Sequence, residues 1–114
     1  MTDKPIIQVE AAKTFTRDLR TLSKKYRSIY KDVQPVIEEL QNGNILGDQI
    51  PNIGYAVFKV RIRNSDIKKG KSGGYRLIYY LQTMTGIILL TIYLKSEQAN
   101  IEPDEIKSII EQEQ

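Results

Sequence analysis

Three cationic side chains alternate along one stretch of the chain that has the pattern of a β-strand. Lys59, Arg61 and Arg63 lie two residues apart within Tyr55–Arg63, and the strand period of two puts them on one face at intervals of roughly 6–7 Å. That interval suits the phosphates along a nucleic-acid strand. Because neighbouring cations repel one another, the pattern favours a surface that binds a polyanion. The alternative is an exposed strand that its charges protect from aggregation.

The segment after this strand, Asn64–Gly74, is rich in lysine and glycine. It carries Lys68, Lys69 and Lys71 together with three glycines. Glycine lets backbone amides approach phosphate oxygens closely, so we predict that these lysines bind RNA alongside Arg63. A flexible hairpin connection without a ligand is the alternative, and for the loop taken alone it is the favoured interpretation.

Two further strand patterns carry side chains that can act on a phosphate. Arg76 lies in an otherwise apolar strand, where a planar guanidinium can clamp a phosphate and stabilise charge developing on it. The alternative for Arg76 is a salt bridge to Asp66 or to a helix acid. Tyr93 and Lys95 share a face of the last strand, and Tyr93 can stack on a base or donate a proton. For Tyr93 taken alone, ordinary packing is favoured over either role.

The residue types that are absent exclude several kinds of chemistry. The chain has no histidine and no cysteine, which excludes the commonest general base, thiolate metal sites and disulfides, and we expect neither a metal nor a cofactor. Gly70-Lys71-Ser72 resembles the end of a phosphate-binding Walker A loop. However, position 65 is serine instead of glycine and a strand follows instead of a helix, so triphosphate binding is excluded.

The remaining residue types permit cleavage of RNA through its own 2′-hydroxyl group. The substrate supplies that nucleophile, so the protein needs only to orient the backbone, stabilise the pentavalent phosphorane and assist proton transfer. We predict that Lys59, Arg61, Arg76, Tyr93 and Lys95 are the catalytic residues. Lys59 is a candidate for the general base, and the sequence does not decide this role.

Charge is segregated along the chain although the net charge is only +3. Residues 57–95 hold eight Lys/Arg and one acid, for +7, whereas residues 96–114 hold one lysine and six acids, for −5. A basic block with strand patterns is typical of a surface that binds a polyanion. The acidic end either folds over this surface or forms a solvated helix, and we favour the second interpretation.

Hydrophobic periodicity predicts a helical hairpin in the first half of the chain. After a short strand at Ile6–Glu10, apolar residues recur at helical spacing in two runs. The first run consists of Phe15, Leu19, Leu22 and Tyr26, and the second of Ile29, Val33, Val36, Ile37 and Leu40. Pro35 falls inside the second run, which predicts either a helix beginning near Asp32 or two short helical pieces.

The second half of the chain predicts three strands and a final helix. Residues 43–54 are predicted as a loop, followed by strands at Tyr55–Arg63, Gly74–Gln82 and Ile87–Lys95 and a helix at Glu102–Gln114. The predicted fold is a single α+β domain over residues 1–114 with the order β-α-α-β-β-β-α. A small twisted antiparallel sheet should carry the hairpin on one face and the basic side chains on the other.

Three stretches of the sequence resemble RelE-type toxins of bacterial type II toxin–antitoxin systems, within the RelE/ParE superfamily. They are Phe58–Arg63, Gly70–Tyr80 and Leu90–Glu97, and the GKSGGYR stretch is closest to the HigB-like branch. The resemblance implies a ribosome-dependent endoribonuclease that cuts mRNA in the decoding site and contacts rRNA there. It also implies a cognate antitoxin, whose acidic or amphipathic segment would cover the basic face in a toxin–antitoxin hetero-oligomer.

The resemblance also assigns roles to individual residues. Lys59 and Arg61 match the strand lysines of the family, and Arg76 matches its phosphate-stabilising arginine. Members often carry a further Arg or His with a Tyr after the last strand, whereas this chain has Lys95-Ser96-Glu97-Gln98. Tyr93 and Lys95 are substitutes that we propose for those residues, not matches.

Two other functions remain open at the level of the sequence. A ParE-like toxin on the same fold would inhibit DNA gyrase without a nuclease site, and a decayed toxin would be a non-catalytic RNA- or protein-binding module. The longest apolar run, Gly86–Leu90, is too short to span a membrane, and the first residues lack the features of a signal peptide. The cytoplasm is therefore the expected location.

Overall fold

The computed structural model describes residues 6–67 and 74–113, and these residues form an α+β fold. This class is the one predicted. The described elements are β1 (Gln8–Ala11), α1 (Lys13–Ser23), α2 (Ile29–Gln41), β2 (Asp48–Gln49), β3 (Val57–Ile62), β4 (Tyr75–Thr83), β5 (Gly86–Leu94) and α3 (Pro103–Gln112).

The strands form one five-stranded sheet in the order β1-β5-β4-β3-β2. Strands β3, β4 and β5 are antiparallel to one another, as predicted, and the edge strand β2 is antiparallel to β3, whereas β1 runs parallel to β5. The prediction of a wholly antiparallel sheet was therefore wrong at this edge. Parallel neighbours need a long crossover connection, and the two helices and three strands between β1 and β5 provide one.

The predicted loop at residues 43–54 contains the short edge strand β2. Asp48 and Gln49 pair with Lys59 and Phe58 of β3, and the Ile50 N–H donates to the Val57 carbonyl at 2.8 Å. Two residues are too few to show a periodicity of two, so the pattern of the sequence gave no indication of this strand.

Helix α2 runs through Pro35 without interruption, from Ile29 to Gln41. Neither prediction for this segment, a start near Asp32 or two helical pieces, was right. Proline removes the N–H that would bond the carbonyl of Lys31 four residues earlier. Because Lys31 and Pro35 are both exposed, water can satisfy that carbonyl, and the apolar stripe of the helix keeps its packing.

The sheet is buried on both faces, by different helices. On one face, α1 and α2 pack Phe15, Ile29, Val33 and Leu40 against alternate residues of the central strands. On the other face, Ile101 and three isoleucines of α3 pack against Ile78, Tyr80, Ile88, Leu90 and Tyr93. Helix α3 is thus docked on the sheet, and the interpretation of a solvated acidic helix was wrong. The apolar stripe of α3, Ile106, Ile109 and Ile110, is buried, and the free energy of this burial exceeds what the acidic charge of the helix costs on docking.

Docking of α3 confines the basic side chains to part of the second face. The prediction of a basic face holds for the β3 side of the sheet, where Lys59 and Arg61 alternate with the buried Val60 and Ile62. It fails over much of β4 and β5, where apolar side chains meet α3. Among the described residues, no helix is both long and apolar enough to cross a membrane.

Candidate nucleic-acid interface

Three of the predicted catalytic residues form a row across three adjacent strands. Arg61 of β3 lies directly opposite Arg76 of β4, and Arg76 lies directly opposite Tyr93 of β5. Directly opposed residues of antiparallel strands share a face of the sheet. Lys59 extends the row along β3, two residues from Arg61 and on the same face. The strand register therefore brings together four side chains that the sequence spreads over 35 positions.

Arg76 is a buried cation with few partners. Its side chain is 9 % exposed, and its guanidinium donates one hydrogen bond, from Nη1 to the Tyr75 carbonyl at 3.1 Å. Within residues 6–67 and 74–113, Arg76 forms no salt bridge. The Asp66 carboxylate instead accepts from the Ser28 N–H at 2.8 Å, so the alternative of an Arg76–Asp66 pair is wrong. A buried guanidinium whose other N–H groups have no partner among the described residues favours an anionic ligand.

Tyr93 is buried beside Arg76 and keeps its phenol proton. Its hydroxyl is enclosed and has no hydrogen-bond partner among the described residues. Burial raises the pKa of Tyr93 above its usual value, and the positive charge of Arg76 opposes the rise without cancelling it. The phenol is therefore neutral near pH 7, and in chemical terms it can donate a proton but cannot serve as a base.

Two depressions meet at the β3 end of the row, one on each side of β2. The first, of about 500 Å³, lies between α2 and the edge of β3. The second, of about 310 Å³, lies between β2 and the chain segment Asn100–Pro103. Lys59, Arg61 and Asp48 line both depressions, so the two depressions share two cations and one carboxylate.

Gly74 shapes the row at the start of β4. A Cβ atom at this position would lie 2.6 Å from the Ile62 carbonyl oxygen and 3.7 Å from Nη1 of Arg76. The first distance is too short for any side chain, so glycine is required where β4 approaches β3 this closely. Because glycine has no side chain, no Cβ lies against Nη1 of Arg76 at this position.

The other predicted residues lie at the margin of the row or outside the described part of the chain. Arg63 is exposed and follows the last residue of β3. Lys95 is also exposed, one residue after β5, and its N–H donates to the Gly74 carbonyl at 3.0 Å. The predictions for Lys68, Lys69 and Lys71 fall outside the described residues.

Sequence reasoning missed Asp48 and the segment that leads into α3. Asp48 lies opposite Lys59 and was placed in a loop because a two-residue strand has no pattern. Asn100 and Ile101 line the depression that holds Lys59, whereas Glu97, Gln98 and Glu105 line a third cavity, of about 310 Å³, together with Tyr93. The connection from β5 to α3 thus runs between the two cavities. In the sequence of this connection, Ile101 was the residue that could have indicated packing against the sheet, because it is apolar within a polar stretch.

Within the described residues, no group of three or more His, Cys, Asp or Glu side chains could hold a metal ion. The lysine, arginine and tyrosine side chains of the row are hydrogen-bond donors, which suits them chemically to the electrostatic stabilisation of an anion.

Comparison with known protein families identifies the family of the protein that contains this row of residues. Residues 9–112 match the family model described as the RelE toxin of the RelE / RelB toxin-antitoxin system. The chain belongs to the RelE toxin family. The matched range includes every strand and helix of the fold apart from Gln8, the first residue of β1. The family resemblance inferred from β3, β4 and β5 is therefore confirmed.

Membership in the RelE family makes this chain a toxin of a toxin–antitoxin system, and it implies an antitoxin of the RelB type as a partner. The narrower likeness to the HigB-like branch stays a prediction. No solved structure matches the chain.

Proposed function

We propose that this RelE-family toxin is a ribosome-dependent endoribonuclease that cleaves mRNA through the 2′-hydroxyl of the substrate. The observation that carries the proposal is the row of Arg61, Arg76 and Tyr93, extended by Lys59. It combines exposed cations that can hold an RNA backbone with a buried cation and a neutral phenol. Such a toxin would act in the cytoplasm, where translating ribosomes present their mRNA.

Binding would begin at the open end of the row. Arg61 is exposed and Lys59 half-buried, and both line the two depressions beside β2. A phosphate held there neutralises the repulsion among the cations and releases counterions from the RNA. Arg76, which is buried one strand further in, adds its charge from a region of low dielectric constant, where it acts more strongly than at the surface.

Cleavage needs one bond to form and one to break at the scissile phosphorus. The 2′-oxygen attacks phosphorus while the bond from phosphorus to the 5′-oxygen breaks, which leaves a 2′,3′-cyclic phosphate and a 5′-hydroxyl. Arg61 and Arg76 stabilise the extra negative charge of the phosphorane. Tyr93, whose raised pKa keeps it protonated, would give its proton to the leaving 5′-oxygen once substrate binding uncovers its hydroxyl, which is enclosed in the unbound protein.

The proton of the 2′-hydroxyl goes to a group at the β3 edge. Lys59 was the candidate from sequence, and Asp48 is its direct neighbour across the strand pair. A carboxylate accepts a proton without first having to lose one, so we include Asp48 beside Lys59 as the acceptor.

Primer extension on a reporter mRNA in a bacterial host tests the proposal. Expression of the toxin should arrest growth and produce cuts in translated mRNA, and Arg76→Ala should abolish the cuts. Lys31→Gln, an exposed cation on α2, is the matched control and should cut like the wild type. Growth arrest without cuts would contradict the nuclease and favour gyrase inhibition. If the protein is soluble but does not arrest growth, the remaining interpretation is a non-catalytic RNA- or protein-binding module.

A further inference from the structure

A cluster of polar side chains lies under the helical hairpin, on the face of the sheet opposite to the row. Tyr75 packs in the core beneath α1 and α2, whereas the next residue, Arg76, alternates to the row. Tyr75 and Asn64 are buried, at 0 % and 3 % exposure. Burial raises the pKa of Tyr75, and the nearby carboxylates of Asp32 and Asp66 raise it further. We name the set Asp32, Asn64, Asp66 and Tyr75 the hairpin clasp.

Two carboxylates of the clasp join the helical hairpin to the segment after β3 in a reciprocal arrangement. Asp32 of α2 accepts from the Ser65 N–H at 2.9 Å and from the Ser65 hydroxyl at 3.0 Å. Conversely, Asp66 accepts from the N–H of Ser28, the residue before α2, at 2.8 Å. Hydrogen bonds to an ionised carboxylate are stronger than those between neutral groups. The three bonds therefore hold the segment after β3 firmly against the hairpin.

Asn64 and Tyr75 connect the clasp to the row. Asn64 Oδ1 accepts from the Asp66 N–H at 2.9 Å, which folds the segment after β3 back on itself. Tyr75 is the first residue of β4 and pairs with Ile62, the last residue of β3, so the ladder between these strands ends at this pair. The Tyr75 carbonyl accepts from Nη1 of Arg76 at 3.1 Å. One residue thus contacts the clasp on one face of the sheet and the buried guanidinium on the other.

The stability of the fold does not explain the clasp. The Tyr75 hydroxyl and the Asn64 amide nitrogen have no hydrogen-bond partner among the described residues. A buried donor without a partner costs free energy, and phenylalanine at position 75 would fill the same space without that cost. Directional hydrogen bonds, however, specify one arrangement more strictly than apolar contacts do. The clasp is therefore suited to fixing the position of the chain at the start of β4.

We infer that the hairpin clasp holds Arg76 in position for the proposed cleavage, and that Asp32 is its principal positioning residue. The inference rests on the proposed nuclease function. Among the described residues, the Arg76 guanidinium bonds only to the Tyr75 carbonyl, so the direction of its other N–H groups depends on where Tyr75 lies. Asp32 accepts two of the three bonds that fix this region from the hairpin. A displacement of about 1 Å at a catalytic group can lower a rate by about 100-fold.

Kinetics of mRNA cleavage on purified ribosomes test the inference. Asp32→Ala removes the acceptor of both Ser65 bonds and should lower kcat by about 10-fold. KM should change by less than about twofold, because Lys59 and Arg61, which would bind the RNA, are untouched. Asp32→Asn keeps an oxygen that can accept from Ser65, so it should recover most of the lost kcat. Asp104→Ala, which removes an exposed acid of α3, is the matched control and should cleave like the wild type.

The surroundings of Arg76 can also be measured without any cleavage. The Nε–H signal of Arg76 in a ¹H–¹⁵N spectrum is assigned by its loss in Arg76→Met. In Asp32→Ala this signal should shift and exchange faster with water, because the guanidinium is no longer held in one position. In Asp32→Asn and in Asp104→Ala it should stay near its wild-type position.

The two readouts separate this inference from the proposed function. If the wild type does not cut mRNA but the Arg76 signal moves in Asp32→Ala and returns in Asp32→Asn, the nuclease proposal falls and the positioning of Arg76 by the clasp stands. If Asp32→Ala only lowers the midpoint of thermal unfolding, while kcat and the Arg76 signal stay unchanged, the clasp is structural and the inference is overturned. A raised KM with an unchanged kcat would overturn it as well.

A milder variant keeps the test decisive if Asp32→Ala does not fold. Ser65→Ala, at an exposed position, removes one of the three bonds and leaves the bond from the Ser65 N–H to Asp32 in place. It should lower kcat by about two- to threefold and shift the Arg76 signal in the same direction. Wild-type kcat together with an unmoved Arg76 signal in this variant would also overturn the inference.

Discussion

Arg61 and Arg76 lie directly opposite each other on β3 and β4, so two guanidinium groups share one face of the sheet on neighbouring strands. Like charges in this relationship destabilise a sheet. Arg76 adds the penalty of burial and has one hydrogen bond, to the carbonyl of Tyr75. An anion placed between the two side chains would remove both penalties, which is why this pair lies at the centre of the proposed site.

Replacing Arg76 with methionine should separate stability from activity. The change removes a buried charge and its repulsion with Arg61, so we expect the free energy of unfolding to rise by about 1 kcal/mol. Cleavage of mRNA should fall about 100-fold or more, as when a donor to a developing oxyanion is lost. Urea unfolding and primer extension measure the two effects. Arg63→Gln, at an exposed position, serves as the control for stability, and a less stable Arg76→Met would contradict the account.

Removing the hydroxyl of Tyr93 should lower activity without lowering stability. That hydroxyl is buried and has no partner among the described residues, so Tyr93→Phe relieves an unsatisfied group worth about 1 kcal/mol or more. If Tyr93 donates the proton to the leaving oxygen, cleavage should fall by about 100-fold. Binding of an uncleavable single-stranded RNA should stay the same. Unchanged cleavage would remove Tyr93 from the catalytic set.

The same substitution at Tyr79 should have the opposite effect on stability. The Tyr79 hydroxyl donates to the Leu46 carbonyl at 2.7 Å and ties the chain before β2 to β4. Tyr79→Phe leaves that carbonyl without its partner, and we expect a loss of about 1 kcal/mol in the free energy of unfolding. The pair of Tyr→Phe variants controls for the chemical change itself. Equal effects at positions 79 and 93 would contradict the hydrogen-bond assignment.

Alkaline pH should destabilise the protein through its buried tyrosines. Burial raises the pKa of Tyr79 to about 12, and it also raises the pKa values of Tyr75 and Tyr93. The unfolded chain therefore releases these protons first, at the ordinary tyrosine pKa of 10.0, so stability is complete below pH 10 and is lost as the pH rises toward 12. Urea unfolding between pH 9 and 12 measures the decline, which should be smaller in Tyr79→Phe.

Docking of α3 on the sheet predicts a large effect at one isoleucine and almost none at another. Ile106 is 1 % exposed in the second core, whereas Ile6 is 77 % exposed before β1. Ile106→Ala should cost about 2–5 kcal/mol through lost burial and a cavity. The matched change Ile6→Ala should stay within about 0.5 kcal/mol. Similar small effects at both positions would show that α3 contributes little to the core in solution.

The secondary structure followed from the sequence wherever a pattern was long enough to have a period. Strands β3, β4 and β5 and the apolar stripe of α1 all lie where alternation or helical spacing indicated them. The failures were local. Strand β2 is two residues long, Pro35 lies inside α2, and β1 joins the sheet in parallel, none of which a periodic pattern can indicate.

The candidate site was predictable as a set of residue types and not as an arrangement. Lys59, Arg61 and Arg76 were recognisable because cations in a strand cost free energy unless they bind a partner or face solvent. The family resemblance assigned roles to the same three residues. Asp48 and the connection before α3 were missed because their neighbourhood depends on pairing at the sheet edge and on how the chain end packs.

What the sequence determined by itself was which chemistry is available and which faces of each element are polar. A chain without histidine or cysteine, with alternating cations on one strand and an apolar stripe on each helix, leaves only Lys, Arg, Tyr, Asp, Glu and Ser side chains for any catalysis on an α+β scaffold. Only the tertiary structure decided that Arg61, Arg76 and Tyr93 meet in one row and that Arg76 and Tyr93 are buried there. The reason is physical: local patterns set the preferences of each segment, whereas strand register and helix docking depend on contacts between residues far apart in the chain.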